Sequence, residues 1–310
     1  MEISFLIPTR NRPEDLKNNL LHLSKLNIHN LDFEIIVLDD CSDISYDSTL
    51  TEFPHIQYFQ NSKPMGISYV RNKLAQYAKG EYLIFLDDDV VISELTSVNL
   101  IYDLFEKDNR LGLISFNISA HINKKQSKPE NIVVFRQLPF KKYQLFFNPE
   151  LKNKINYVSY FIGAAFACRR DIFMSEINFD ELFYWGNEEI DFSYNIIKNN
   201  FKILYHPDCK ADHYPAKSVI KSESKGFNSF ILFISNRMLT AYKNLPLKYS
   251  ISYIFVWTVY YFLVSLKTFR IFDWVKGIKL GISKLEKSSR KPIGKLGIKY
   301  LKNNYGRILF

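Results

Sequence analysis

Cysteine is scarce in this 310-residue chain: Cys41, Cys168 and Cys209 are odd in number, far apart and in no metal-ligand spacing. They give no basis for a disulfide framework or a zinc site, and the expected setting is reducing and cytosolic. No secretory leader is expected either, because the apolar run Ile3 to Pro8 is too short, and too quickly followed by charge, to act as one. There is no internal repeat. There is no calcium loop either, since Val90-Val91-Ile92 follow Asp87-Asp88-Asp89 where more ligands and a Gly are needed. Acids nearly vanish from the last third. Residues 216–310 carry 3 Asp and Glu against 18 Lys and Arg, a balance of +15, whereas residues 1–215 carry 29 against 23, a balance of −6.

What the chain does have is apolar mass. At 47% hydrophobic and 16% aromatic, with 26 Phe and 20 Tyr, it can build a substantial core in one large or two ordinary domains, which excludes global disorder. A basic tail interleaved with long apolar runs fits an anionic membrane surface better than nucleic acid. Within it, Tyr249 to Leu266 is 18 residues without a charge, bracketed by Lys248 and Lys267. That meets the minimum length of a spanning helix. Its Ser250, Ser252, Thr258, Ser265 and four tyrosines suit a helix lying in the interface better, with insertion at 249–266 as the alternative.

The first ninety residues alternate β-rich runs with amphipathic helical patterns, the signature of βαβ units. Strands are predicted near 3–8, 33–38, 56–60 and 82–86. Pro13 is placed to start a helix carrying Leu16, Leu20 and Leu23, and Ile67, Val70, Leu74 and Ala78 mark a second, ended by Gly80. From about 113 to 160 the pattern is unclear, with a Lys-rich stretch from Asn123 to Asn131 read as an exposed loop. A run of small residues around Gly163-Ala164-Ala165 then permits close approach of backbone or ligand. The segment Tyr184 to Phe192 is then read as a helix continuing to Lys198, and a strand over Lys202 to Tyr205 follows.

Polar groups collect where the strands stop: Thr9-Arg10-Asn11, Asp39-Asp40, and Asp87-Asp88-Asp89. In open parallel sheets that edge binds ligands. Three carboxylates after a buried strand repel one another unless a cation or solvent relieves them, and a hard divalent ion is the natural counter-charge. Any one of these acids alone reads as a helix cap or a solvated turn. Their repetition at two strand ends one βα unit apart is the stronger signal.

Phe5-Leu6-Ile7-Pro8-Thr9-Arg10-Asn11-Arg12, the Asp39-Asp40 turn, Gly66-Ile67-Ser68-Tyr69-Val70-Arg71-Asn72, Gly80-Glu81-Tyr82 and Phe85 to Asp89 together resemble family 2 glycosyltransferases, in order and in spacing, over residues 1–215. The resemblance implies an α/β GT-A fold, Rossmann-like, with a mostly parallel central sheet flanked by helices. It divides 1–215 into a nucleotide-sugar half of about 1–110 and an acceptor half of about 111–215. Residues 216–310 form a helical extension resembling the membrane-associating tails of bacterial members.

By position, the resemblance places Pro8, Thr9 and Arg10 on the nucleotide, Asp40 on the base edge, and Arg71 on the base or diphosphate. It places Asp87 and Asp88 on the ribose or sugar, and Asp89 on a Mg²⁺ or Mn²⁺ ion, with His213, rather than His206, reaching the metal or diphosphate. The general base lies in Asn187-Glu188-Glu189-Ile190-Asp191. Glu189 stands where the family carries Asp, so Glu189 comes first and Glu188 and Asp191 stay open. Trp185-Gly186 is the implied acceptor-sugar platform.

The reaction so implied is an inverting transfer of a hexosyl or rhamnosyl group. It runs from a UDP or dTDP sugar to a hydroxyl of a lipid-linked glycan, at the inner face of the plasma membrane, in cell-wall or other surface-polysaccharide biosynthesis. Two rivals are a nucleotidyltransferase, which needs a Gly-rich loop that Pro8 to Pro13 lacks, and a non-catalytic glycan- or membrane-binding module on the same fold.

Overall fold

The computed structural model describes residues 1–26, 28, 30–92, 98–121, 128–129, 153–215 and 228–306. The predicted loop at 123–131 lies outside them, apart from a two-residue strand at 128–129. The chain begins with β1 (Ile3–Thr9), α1 (Pro13–Leu23), β2 (Phe33–Asp39), α2 (Asp47–Glu52), β3 (Gln57–Gln60), α3 (Ile67–Tyr77) and β4 (Tyr82–Leu86). These strands stand where alternation and turn residues put them. Pro13 opens α1, its fixed φ suiting a first helical position where no N–H partner is needed.

Next come β5 (Val90–Ile92), α4 (Val98–Lys107), β6 (Leu111–Ala120), β7 (Lys128–Pro129), β8 (Asn156–Val158), β9 (Ala165–Arg169), α5 (Arg170–Met174), α6 (Glu188–Lys198) and β10 (Lys202–His213). All ten strands join one sheet of order β3-β2-β1-β4-β9-β6-β10-β5, with β7 on β6 and β8 on β10. β1, β2, β3 and β4 are parallel neighbours, and β6 and β10 run parallel to each other. Reversed β9 sits between the two sets, so β1, β2, β3, β4, β6 and β10 share one direction. β10 outruns the predicted strand at 202–205. Its ladder shifts between Tyr205 and Lys210, where Pro207 has no N–H to give, and resumes to His213.

Strand alternation sends side chains to two cores. Ile3, Phe5, Ile7, Val37, Ile84 and Leu86 face α1 and α4, while Leu6, Ile36, Leu38, Leu83 and Phe85 face α3, α6 and the helices that follow. Those helices are α7 (Ser229–Asn244), α8 (Leu247–Lys267), α9 (Ile271–Lys287) and α10 (Lys295–Asn303).

α7 is buried along most of its length. α8 packs on it through Tyr253, Trp257 and Tyr261, one stripe at i, i+4 and i+8 that encloses Arg237 of α7. The guanidinium lies 3.5 Å from the Trp257 ring centroid and donates to the hydroxyls of Tyr253 at 3.0 Å and Tyr261 at 3.3 Å. α8 is long and apolar enough to cross a membrane. Its outer face and the α8–α9 corner leave Ile251, Phe255, Phe269 and Phe272 exposed, Phe269 at 96%.

Candidate active site

Thr9 ends β1 with its hydroxyl donating to Asp88 Oδ2 at 2.7 Å and paired with the Tyr46 hydroxyl at 2.8 Å. Pro8 is buried within β1 opposite Leu38. Arg10 is exposed and hydrogen-bonds the Tyr184 phenol. Asp40 turns inward. It accepts from Asn61 Nδ2 at 2.8 Å and from the backbone N–H groups of Met65 at 2.8 Å and Gly66 at 2.9 Å. A carboxylate has about four acceptor positions, so one is left for a ligand. Gly66 needs to be glycine: its φ is +88°, and a Cβ there would stand 2.6 Å from the Tyr184 ring.

The three acids after β4 sit in different surroundings. Arg71, buried on α3, donates to Asp87 Oδ1 at 3.3 Å, to Glu188 Oε1 at 3.3 Å and to the Gly163 carbonyl at 2.9 Å. It therefore ties the strand-end acids to the acids of α6. Gly163 makes that meeting possible, since a Cβ there would lie 2.7 Å from Arg71 Nη2 and 2.8 Å from Glu189 Oε1. Burial raises the Asp87 carboxyl despite the Arg71 charge, and pushes Asp88 up to about 7 against the pull of Arg12. Burial acts on Asp89 too, but the His213 hydrogen bond and the charges of His213 and Arg12 outweigh it and hold Asp89 below the usual range.

His213 reaches Asp89 because β10 runs on to pair His213 with Val90 of β5. His213 Nε2 lies 3.2 Å from Asp89 Oδ1. His206 is buried, and its Nδ1 accepts from the Asp208 backbone N–H at 3.3 Å. The Asp89 and His213 donors fit a divalent ion: one hard oxygen and one imidazole nitrogen converge, leaving its other positions to non-protein ligands. Among the described residues no group of three His, Cys, Asp or Glu gathers to hold an ion alone.

Across the site, α6 opens after Asn187, whose φ of +69° turns the chain so that Glu188 and Glu189 head the helix. Glu188 is buried, with Oε1 on Arg71 and Oε2 without a partner. Glu189 is only half-buried. Burial and then the Glu188 charge push Glu189 up to about 8. Asp191 points elsewhere. Fully buried, it accepts from Lys243 Nζ at 2.8 Å and Asn244 Nδ2 at 2.7 Å, both on α7.

α7 also holds the Trp185-Gly186 turn. Asn236 Nδ2 donates to the carbonyls of Trp185 at 2.9 Å and Gly186 at 2.7 Å, and its Oδ1 accepts from Lys284 Nζ of α9. The Trp185 ring stands beside Phe233, 5.5 Å between centroids.

Sequence reasoning missed Arg12, Tyr46, Asn236, Lys243 and Asn244 as parts of this region. For the last three a signal was present: Asn236, Thr240, Lys243 and Asn244 recur at i, i+4, i+7 and i+8 in an otherwise apolar helix, one polar face with something to bind. Removing one partner of a buried ion pair is expected to destabilise by about 3–5 kcal/mol. Lys243→Met is therefore expected to lower the urea midpoint well below wild type, and an unchanged midpoint would show that the Asp191 pair carries no stability.

Acids at the carboxyl edge of an α/β sheet, faced by a second acid pair at a helix start, suit the binding and catalysis of a polar ligand. Residues 4–175 match the model of glycosyl transferase family 2, and the chain belongs to that family. It is 33% identical over 141 residues to YfnE, an uncharacterized glycosyltransferase of Bacillus subtilis strain 168, covering 43% of this chain and 29% of that one. The crystal structure of S. aureus TarS 1-349 in complex with UDP-GlcNAc shares the fold at a TM-score of 0.62 and 18% identity, over 92% of this chain and 82% of that one. GalNAc-T7 with UDP, GalNAc and Mn²⁺ shares it at 0.57 and 21%, over 69% and 43%.

Proposed function

We propose that the protein is an inverting, metal-dependent glycosyltransferase that moves a hexosyl or rhamnosyl group from a nucleoside-diphosphate sugar to a hydroxyl of a lipid-linked surface glycan. The observation that carries this reading is the meeting, at Arg71, of the Asp87–Asp89 cluster with the Glu188–Glu189 pair. One side suits a donor and its cation, the other an acceptor hydroxyl. UDP is the favoured nucleotide over dTDP, since both fold neighbours above were crystallised with UDP or a UDP sugar.

Thr9, Arg10 and the remaining acceptor of Asp40 line the nucleotide side, and Asp87 and Asp88 the ribose and sugar. Asp89 and His213 would hold Mg²⁺ or Mn²⁺, which when bound offsets charge on the departing diphosphate. Glu189 takes the acceptor proton: it is the more open of the two glutamates, whereas Asp191 is held by α7 and positions the helix. The Trp185 ring and Gly186 form the acceptor platform. A thermal-shift screen of nucleotide sugars with and without Mn²⁺ tests this, because a ligand that binds the folded state raises its melting point. No shift with any UDP or dTDP sugar would overturn the donor assignment.

Residues 1–110 and 111–215 are the donor and acceptor halves, and the extension from 216 presents them to an anionic inner leaflet. Basic charges near such a surface contribute roughly 1 kcal/mol each, and exposed apolar groups add area. Phe269, Phe272 and Phe255 are the groups offered, beside Lys248, Lys267, Lys276 and Lys279. α8 lies in the interface rather than crossing, since spanning would strip Tyr253, Trp257 and Tyr261 from Arg237. The full chain is expected to sediment with anionic liposomes, only partly released by salt, because screening removes the charge contribution and leaves the apolar one. The double variant Phe269→Ser, Phe272→Ser is expected to stay largely in the supernatant. Equal pelleting of both proteins would refute this attachment.

A further inference from the structure

Arg12 stands one residue before α1, its backbone N–H donating to the Tyr46 hydroxyl at 2.9 Å. Its side chain enters the acid cluster, where one nitrogen, Nη1, lies 2.9 Å from Asp88 Oδ1 and 2.9 Å from Asp89 Oδ2. Both carboxylates are buried. The cations around the cluster divide the acids among themselves. Arg71 serves Asp87 and Glu188, His213 serves Asp89 through its other oxygen, and Arg12 bridges Asp88 and Asp89. Asp15 adds a fourth negative group facing Asp89 and Arg12.

We propose that Arg12 is a resident counter-cation that competes with the divalent ion for the Asp88–Asp89 pair and yields it when the donor arrives. This rests on the reading of Asp89 and His213 as the metal ligands. A divalent ion on Asp89 would place two positive charges beside the guanidinium on shared carboxylates, and like charges cannot both occupy so small a space without loss. Displaced, the guanidinium needs new acceptors. Diphosphate oxygens match its planar donors, so nucleotide binding favours the state in which metal holds Asp89. Metal and nucleotide then strengthen one another's binding by the same factor.

Mn²⁺ titration without nucleotide, read by the electron paramagnetic resonance signal of free Mn²⁺, tests this on the purified chain. Arg12→Met is expected to bind Mn²⁺ about tenfold or more tighter than wild type, within the usual range of such couplings. Arg12→Lys, which keeps the charge, stays near wild type. Adding UDP is expected to tighten Mn²⁺ binding in wild type and to do so much less in Arg12→Met. Should Arg12→Met fail to fold, Arg12→Gln removes the charge while keeping an N–H donor, and carries the same expectation. Equal Mn²⁺ affinity in wild type and the uncharged variant overturns the competition and leaves the metal assignment standing. No Mn²⁺ binding in any variant, with or without UDP, overturns both.

Discussion

Asp89→Ala is expected to abolish turnover, with a loss of at least about a thousandfold, and to remove the metal-dependent part of nucleotide binding. Asp89 is the one acid of its cluster held below the usual carboxylate range, by the His213 hydrogen bond and the charges of His213 and Arg12, so it stays ionised at neutral pH. Its Oδ1 faces His213 Nε2, and together they supply an oxygen and a nitrogen donor. Asp88, pushed up to about 7 by burial and bonded by Thr9, is a poorer ligand and a better hydrogen-bonding group. Two measurements decide the matter: donor turnover with and without excess EDTA, and UDP affinity with and without Mn²⁺. Wild-type activity that persists in EDTA would sink the metal role, while an Asp89→Ala protein that still binds UDP more tightly with Mn²⁺ would move the ligand elsewhere.

The first ninety residues were legible because their signals are local. β1, β2 and β4 are short apolar runs ended by polar residues, α1 begins at Pro13, and the acids follow their strands directly, so reading along the chain also reads across the sheet edge. The stretch from about 113 onward resisted for the opposite reason. β9 runs against its neighbours between β4 and β6, and β8 adds to β10, and no periodicity announces which strand a run of small residues will join. The reach of His213 depended on β10 resuming past Pro207, which looks like a strand end when read alone.

The sharpest gap concerns α7. Charge separated 216–310 from the rest, yet Asn236, Lys243 and Asn244 are buried against Asp191 and the Trp185-Gly186 turn. These are long-range polar contacts, and a net-charge count cannot see them. The same contacts hold Asp191 in the α7 interface although it shares a short motif with Glu189. On a helix, residues two apart point to different sides: the Glu189 carboxyl lies beside Gly163, and that of Asp191 in the α7 interface.

Glu189→Gln is expected to lower kcat at least about a hundredfold while donor affinity changes little, since general-base assistance contributes typically 10²–10⁴-fold and acts only in the transition state. The geometry gives this a pH signature. Burial and the Glu188 charge push Glu189 up to about 8, and Glu188 is itself raised by burial against the pull of Arg71, so the two share their titration. A base works deprotonated, so kcat/KM is expected to rise with pH through a limb near 8 and to level off above it. Glu188→Gln removes the like charge that helps raise Glu189, which moves the limb to lower pH. It also leaves Arg71 without one of its carboxylates, so some rate is lost as well. Asp191→Asn keeps the shape but removes the charge paired with Lys243 and turns an amide NH₂ toward the Lys243 and Asn244 donors, so its loss should appear in stability before it appears in the pH profile. A larger loss of kcat in Glu188→Gln than in Glu189→Gln, or a limb that survives intact in Glu189→Gln, would transfer the base to Glu188.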